Sequence, residues 1–231
     1  MQQEGIWDGF ERLLLSESRR IRIFARNQLR KPGFDVLQYC RSHLPDTLRA
    51  LGDCGSTEDI PAIRPNLESN PYDALYALAR LGAEDRNALL LQFMHSTDLP
   101  LAKAAYRLAR TLRCIPVQEL FPLIPDETDP QVQLRLIVLT TAGGVWNVMP
   151  FLIRSLRDCP KIRRDILYLI KKNTVLPVYI PLELNKEVQQ ALAYARDGNA
   201  IPYEVNNQVF HVMKIRWNEQ GHPVRSTPAG S

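Results

Sequence analysis

Residues 70–82, NPYDALYALARLG, contain the features that decide the fold. Asn70 stands before Pro71, and an asparagine side chain accepts hydrogen bonds from the free N–H groups of a first helical turn, where proline is also tolerated. Gly82 suits the left-handed conformation that often ends a helix. Between these ends, apolar residues recur at helical spacing: Leu75, Leu78, Ala79 and Leu81. The stretch therefore predicts one amphipathic helix with a defined start and end.

The same features recur about every 30 residues along the chain. Three series of apolar positions keep this interval: Leu48, Leu78, Leu108, Leu139 and Ile170; Leu75, Ala105, Leu136 and Leu167; and Ile60, Leu90, Phe121 and Phe151. An Asn or Asp next to or near a proline repeats with them, at positions 70, 98, 129 and 158. Because no helix of such a unit can bury its apolar stripe alone, the repeat predicts an α-solenoid of stacked helix pairs.

Each repeat has room for two helices joined by a short corner. The first helices are predicted at residues 72–81, 101–112, 131–141 and 161–172, and the second at residues 60–67, 88–94, 117–124 and 148–156. Glycine after leucine, at Leu51-Gly52 and at Leu81-Gly82, predicts the position of two corners.

The chain changes character beyond the repeats. A closing helix is predicted at residues 184–196, which ends the helical domain at residue 197. Alternate residues between 209 and 217 are apolar or aromatic, apart from His211, which is the period of a strand, so residues 198–220 are predicted to form a small β-hairpin. The tail, residues 221–231, is rich in Pro, Ser and Gly, and this predicts disorder.

The unit of Asp or Asn with Pro, a helix, a Leu-Gly corner and a second helix resembles the HEAT-like repeat, in the short form named after phycobilisome lyases. The resemblance covers roughly residues 46–180 and extends more loosely to residues 17–43. It implies an all-α fold, a right-handed solenoid of HEAT-like helical hairpins. The Val-Arg pair that the family often carries in its first helix has counterparts only in Ile21-Arg22 and Ile162-Arg163, which is typical of a divergent member.

Basic side chains form the most prominent surface pattern. Arg19, Arg22, Arg26 and Arg30 fall on one face of a predicted helix, with Ile21, Phe24 and Ala25 on another. A second basic cluster spans residues 154–172, and Arg80, Arg110 and Lys172 each follow a repeat position by two residues, which predicts a row on one surface. Solvated outer faces and cations at helix C-termini are the alternatives. The predicted partner-binding residues are Arg19, Arg22, Arg26, Arg30, Arg80, Arg110, Arg163 and Lys172.

No segment matches a catalytic, metal or cofactor motif. A G-x-S-x-G elbow is absent, and Gly143-Gly144 lacks the lysine and Ser/Thr of a phosphate loop. Cys40, His43 and Cys54 supply three zinc ligands where a structural site takes four. We therefore expect no catalytic residue, no metal and no cofactor.

Composition predicts a cytoplasmic protein that stays off the membrane. Four scattered cysteines favour reduced thiols, and no apolar stretch reaches the roughly 20 residues that cross a bilayer. The net charge of +4 is too mild to indicate nucleic-acid binding by itself.

Three functions fit these observations. The first is a non-catalytic scaffold or adaptor that binds another protein, with an acidic protein as one candidate, through basic patches on its repeats. The second is a nucleic-acid-binding protein, since a bacterial DNA glycosylase family also uses a basic HEAT-like solenoid, although the Trp and Asp motif of that family has no counterpart here. The third rests on the repeat subtype alone and is a lyase- or chaperone-like role.

Overall fold

The structure is a computed structural model that describes residues 4–30 and 33–224, with side chains from residue 9 onward except at position 143. The chain divides into two compact units, Met1–Cys114 and Ile115–Ser231. Both are mainly α-helical, so the prediction of an all-α fold is confirmed at this level. In the part of the chain that the structure describes, no helix has both the length and the apolar character needed to span a bilayer.

The first unit consists of helices and a short 3-10 turn. Its helices are α1 (Glu4–Leu14), α2 (Arg19–Arg30), α3 (Val36–Ser42), α4 (Leu48–Cys54), α5 (Ile60–Ile63), α6 (Asn66–Ser69), α7 (Pro71–Leu81), α8 (Arg86–Met94) and α9 (Leu99–Leu112).

The second unit adds two short strands to its helices. Its elements are α10 (Val117–Leu120), α11 (Leu123–Asp126), α12 (Pro130–Thr140), α13 (Met149–Asp158), α14 (Arg163–Asn173), β1 (Val178–Ile180), α15 (Leu182–Asp197), α16 (Tyr203–Val212) and β2 (Met213–Ile215).

Most of the repeat positions lie in the core of their unit, and Leu108 is only partly buried. In the first series, Leu48, Leu78 and Ile170 are fully buried and Leu139 is nearly so. Phe121 and Phe151 of the third series stack with ring centroids 4.3 Å apart. The 30-residue period therefore marks the side chains that the helices pack together.

The predicted capping of a helix N-terminus by an Asn or Asp side chain is confirmed at two of the four positions. Asp98 accepts a hydrogen bond from the backbone N–H of Leu101, and Asp129 accepts one from Gln131. Asn70 makes no capping bond through its side chain, and Asp158 instead accepts from the hydroxyl of Tyr194. Pro71 starts α7 with a fixed φ, which explains why that helix begins without a side-chain cap.

Of the two predicted glycine corners, one is confirmed and the other is wrong. Gly82 ends α7 in the left-handed conformation, with φ of 78°. Gly52 lies inside α4, where a Cβ atom would stand 2.7 Å from the Cα atom of Ala77 in α7. Glycine is required here because the two helices approach each other closely, so this residue sets a helix contact instead of a turn.

The β-hairpin predicted for residues 198–220 is wrong. Residues Tyr203–Val212 are helical, and β2 pairs in parallel with β1, with Val178 opposite Met213 and Ile180 opposite Ile215. The apolar residues Val205, Val209 and Met213 are buried and four apart, and this spacing fits a helical face as well as a strand face.

The prediction of disorder from residue 221 onward is wrong for residues 221–224. Val224 donates its N–H to the carbonyl of Arg216 and accepts from the N–H of Leu182, and Pro223 pairs with Trp217. The rest of the predicted tail, residues 225–231, lies outside the described residues.

Candidate functional site: an arginine and tyrosine groove

A buried carboxylate organises one side of the first unit. Asp53 follows Gly52 in α4, and its side chain is only 4% exposed. The close contact between α4 and α7 at Gly52 and Ala77 places this carboxylate beside Tyr76 and Arg80 of α7. Packing of small residues thus determines which charged side chains meet.

Arg22 of α2 forms the innermost contact with Asp53. Its Nε and Nη2 atoms both lie 2.8 Å from Oδ2 of the carboxylate. Its Nη1 donates to the carbonyl oxygens of Ser16 and Glu17, and Nη2 also donates to the hydroxyl of Tyr76. Arg22 is 2% exposed, and its donors are occupied, so it holds the site together instead of meeting a ligand.

This arrangement reverses part of the face predicted for α2. The buried residues of the helix are Arg22, Ala25 and Leu29, whereas Ile21 and Phe24 are exposed. A buried guanidinium is tolerated only when it is paired and hydrogen-bonded, and the partner that satisfies it stands 31 residues further along the chain.

Tyr76 connects the carboxylate to the surface. Its hydroxyl donates to Oδ1 of Asp53 over 2.8 Å. Burial raises the pKa of the Tyr76 phenol, and the hydrogen bond to Asp53 and its negative charge raise it further, although Arg22 and Arg80 oppose them. The phenol is therefore a neutral hydrogen-bond donor over the whole physiological range.

Two further arginines, Arg19 and Arg80, lie against Oδ1 of Asp53 through their Nε atoms, which form the inner edges of their guanidinium groups. Arg19 donates from Nε to Oδ1 over 3.2 Å, and the Nε of Arg80 lies 3.0 Å from Oδ1, although its N–H does not point along a hydrogen bond. In both residues the Nη groups make no further ion pair with the described residues. These outer edges are free to meet an anion.

A groove of about 220 Å³ opens above this cluster. Its wall on α9 includes Arg107, an exposed residue with no ion-pair partner among the described residues. The lining residues are Glu17, Arg19, Arg22, Tyr72, Tyr76, Arg80, Ala104, Arg107, Leu108, Thr111 and Leu112.

Three residues that line the groove, Tyr72, Tyr76 and Arg107, were not predicted, although the sequence contains a signal for them. Tyr72 and Tyr76 precede Arg80 by eight and four residues, so the three share one face of α7. Arg107 lies three residues before Arg110 and one before the repeat residue Leu108. A search for polar residues four apart within one helix would have identified the face of α7.

The ring of Tyr72 is held in position by the guanidinium of Arg49. The guanidinium carbon of Arg49 lies 4.8 Å from the ring centroid of Tyr72, and Arg49 is itself paired with Asp73. Tyr72 remains 38% exposed at the groove. Its ring therefore offers an aromatic surface next to the free guanidinium groups.

The remaining predicted residues do not line the groove. Arg26 donates to the backbone carbonyl of Asp53 over 2.9 Å, and Arg30 is exposed on α2. Arg110 is exposed on α9 and does not line the groove. Arg163 and Lys172 belong to the second unit. The structure thus groups Arg19, Arg22 and Arg80 around Asp53.

The groove is suited to binding an anion. The four lining arginines outnumber the carboxylates of Glu17 and Asp53, and the outer guanidinium edges can fork a carboxylate or a phosphate. Among the described residues there is no group of three or more His, Cys, Asp or Glu side chains that could hold a metal ion.

Comparison with known proteins gives no relative to this arrangement. No protein-family model matches the chain, and neither the curated proteins nor the solved structures include a significant match.

Proposed function

We propose that the chain is a non-catalytic binding module that takes an acidic segment of a partner protein in the arginine and tyrosine groove of the first unit. The repeat of about 30 residues supports a right-handed solenoid of HEAT-like hairpins as the fold of the chain. On this scaffold the protein acts as an adaptor.

The single observation that supports this proposal most is the buried Asp53 carboxylate. It lies against the Nε atoms of Arg19 and Arg80, and both arginines line the groove. Side chains that are already fixed lose little conformational entropy when a ligand binds, so such a site binds more tightly than loose surface arginines would.

The shape and charge of the groove favour a protein segment over a nucleic-acid duplex. The space is small, about 220 Å³, and Glu17 lies in its wall. A single carboxylate side chain is small enough to enter this space, whereas a rigid duplex is too wide to enter it. Tyr72 and the apolar Leu108 and Leu112 provide contacts for neighbouring side chains of the same segment.

The test is fluorescence anisotropy with a labelled poly-glutamate peptide over a salt series. We expect binding that weakens with salt and that falls about tenfold in Arg80→Gln, because a charge-assisted hydrogen bond contributes about 1.5–3 kcal/mol. Duplex DNA of the same label serves as the competitor. Failure of poly-glutamate to bind at low salt, or displacement by duplex DNA at equal charge concentration, contradicts the proposal.

A further inference from the structure

The second unit has a basic surface of its own, on one face of α14. A shallow depression of about 540 Å³ is lined by Pro160, Lys161, Arg163, Arg164, Leu167, Tyr168 and Lys171. Within α14, Leu167, Tyr168 and Lys171 follow Arg164 by three, four and seven residues, so they share one helical face.

The cations of this face differ in how they are engaged. Arg163 donates from Nε to the carbonyl of Leu156, and Lys161 donates to the carbonyl of Thr128. Arg164 and Lys171 are exposed and form no ion pair with the residues that the structure describes. No carboxylate lines the depression, in contrast to the groove of the first unit.

Tyr168 lies between these two free cations. It follows Arg164 by four residues and precedes Lys171 by three, and it is 65% exposed. Over the described residues its ring packs against no other aromatic ring and carries no cation over its face. An exposed aromatic ring of this kind offers its face to a stacking partner.

We propose that this face of α14 binds single-stranded nucleic acid, with phosphates on Arg164 and Lys171 and a base stacked on Tyr168. Aromatic rings that alternate with cations are the features by which proteins hold single strands without sequence preference. The seven helical steps from Arg164 to Lys171 rise by about 10 Å, so the two cations can contact different phosphates of one strand.

Charge complementarity alone would admit an acidic peptide, but the free ring decides between the two ligands. A glutamate chain has no aromatic group to stack on Tyr168, whereas every base has a π-face. A depression lined by cations and by no carboxylate also fits the continuous charge of a phosphate backbone.

The experiment measures the binding of fluorescein-labelled oligo(dT) to the full chain by anisotropy across a salt series. We expect Tyr168→Ala to weaken binding about tenfold and Tyr168→Phe to leave it within about twofold, since stacking needs the ring and not the hydroxyl. Lys171→Gln should reduce the slope of log K against log salt by about 0.7, the contribution of one phosphate contact on a single strand.

Lys186→Gln is the matched control, because Lys186 is an exposed lysine of α15 and its replacement removes the same charge. The proposal is overturned if Lys186→Gln changes the slope as much as Lys171→Gln does. It is also overturned if Tyr168→Ala binds oligo(dT) as tightly as the wild type, or if poly-glutamate displaces oligo(dT) at equal charge concentration.

Discussion

The carboxylate of Asp53 and the guanidinium of Arg22 are both almost excluded from water, with side chains 4% and 1% exposed. Removing one partner of such a pair leaves the other charge buried and uncompensated, which costs far more than losing an exposed pair. Asp53 therefore contributes both to the stability of the first unit and to the geometry of its groove.

For Asp53→Asn we expect a loss of about 3 kcal/mol in the free energy of unfolding, measured by urea denaturation. Asp85→Asn is the matched control, because Asp85 pairs with Arg64 at the surface with side chains 40% and 46% exposed. That change should cost less than about 1 kcal/mol. Equal losses in the two variants would show that burial of the Asp53 pair contributes nothing.

Tyr76 makes the free energy of unfolding depend on pH. Burial raises the pKa of its phenol above the ordinary value of 10.0, so the folded state favours the protonated form more than the unfolded state does. The resulting stability is fully present below about pH 10 and is lost as the pH rises through the folded-state pKa.

Tyr76→Phe should therefore show a shallower fall in the free energy of unfolding between about pH 9 and 11 than the wild type, after a loss of about 1 kcal/mol at neutral pH from the missing hydrogen bonds. Urea denaturation at several pH values measures both quantities. Parallel curves for the two proteins would contradict the account of Tyr76.

At the scale of elements, the contact of α4 with α7 determines where the charged residues lie. A Cβ atom at position 52 would approach the backbone of Ala77 to 2.7 Å, and backbone cannot move aside as a flexible side chain can. Separation of the two helices would also draw Asp53 away from Tyr76 and Arg80.

We expect Gly52→Ala to lower the free energy of unfolding by about 1–3 kcal/mol, despite the better helix propensity of alanine. Gly9→Ala is the counterpart, because Gly9 lies in α1 with nothing within 4 Å of an added Cβ, and that change should stabilise the protein by up to about 1 kcal/mol. Thermal denaturation of both variants shows whether each change stabilises or destabilises the protein. A stabilising Gly52→Ala would contradict the close helix contact.

The elements could be predicted from sequence wherever local chemistry determines them. The repeat positions Leu48, Leu78 and Ile170 are buried as expected, because a helical period of apolar residues has one main solution. Helix starts at Asp98 and Asp129 also follow from local capping.

The site could be predicted only in part, because it depends on distant pairings. Arg22 belongs to a run of arginines that is typical of a solvated face, and its burial depends on Asp53 in another helix. At the C-terminus, Val205, Val209 and Met213 fit the helical and the strand period equally, and only pairing of β2 with β1 resolves them. The same limit applies to Gly52, since its role is set by Ala77.

At the scale of the whole molecule, the two compact units carry two different basic surfaces. The groove of the first unit has the carboxylate of Glu17 in its wall beside its arginines, and no carboxylate lines the depression on α14 in the second unit. A net charge of +4 spread over the chain cannot by itself separate the two kinds of ligand.

The two surfaces should act independently in binding. We expect Tyr168→Ala to weaken oligo(dT) binding and to leave poly-glutamate binding within about twofold, and Arg80→Gln to have the opposite pattern, because mutations at separate sites without shared partners add. Anisotropy titrations of both variants with both ligands measure this. One ligand affected equally by both changes would mean a single shared surface.

The most direct measurement compares Arg107→Gln with Arg110→Gln in poly-glutamate binding at low salt. Both arginines are exposed on α9 and one turn apart, but only Arg107 lines the groove. We expect Arg107→Gln to weaken binding about tenfold and Arg110→Gln to change it less than about twofold. Equal losses in the two variants would mean that the peptide responds to general positive charge and that the groove is not its binding site.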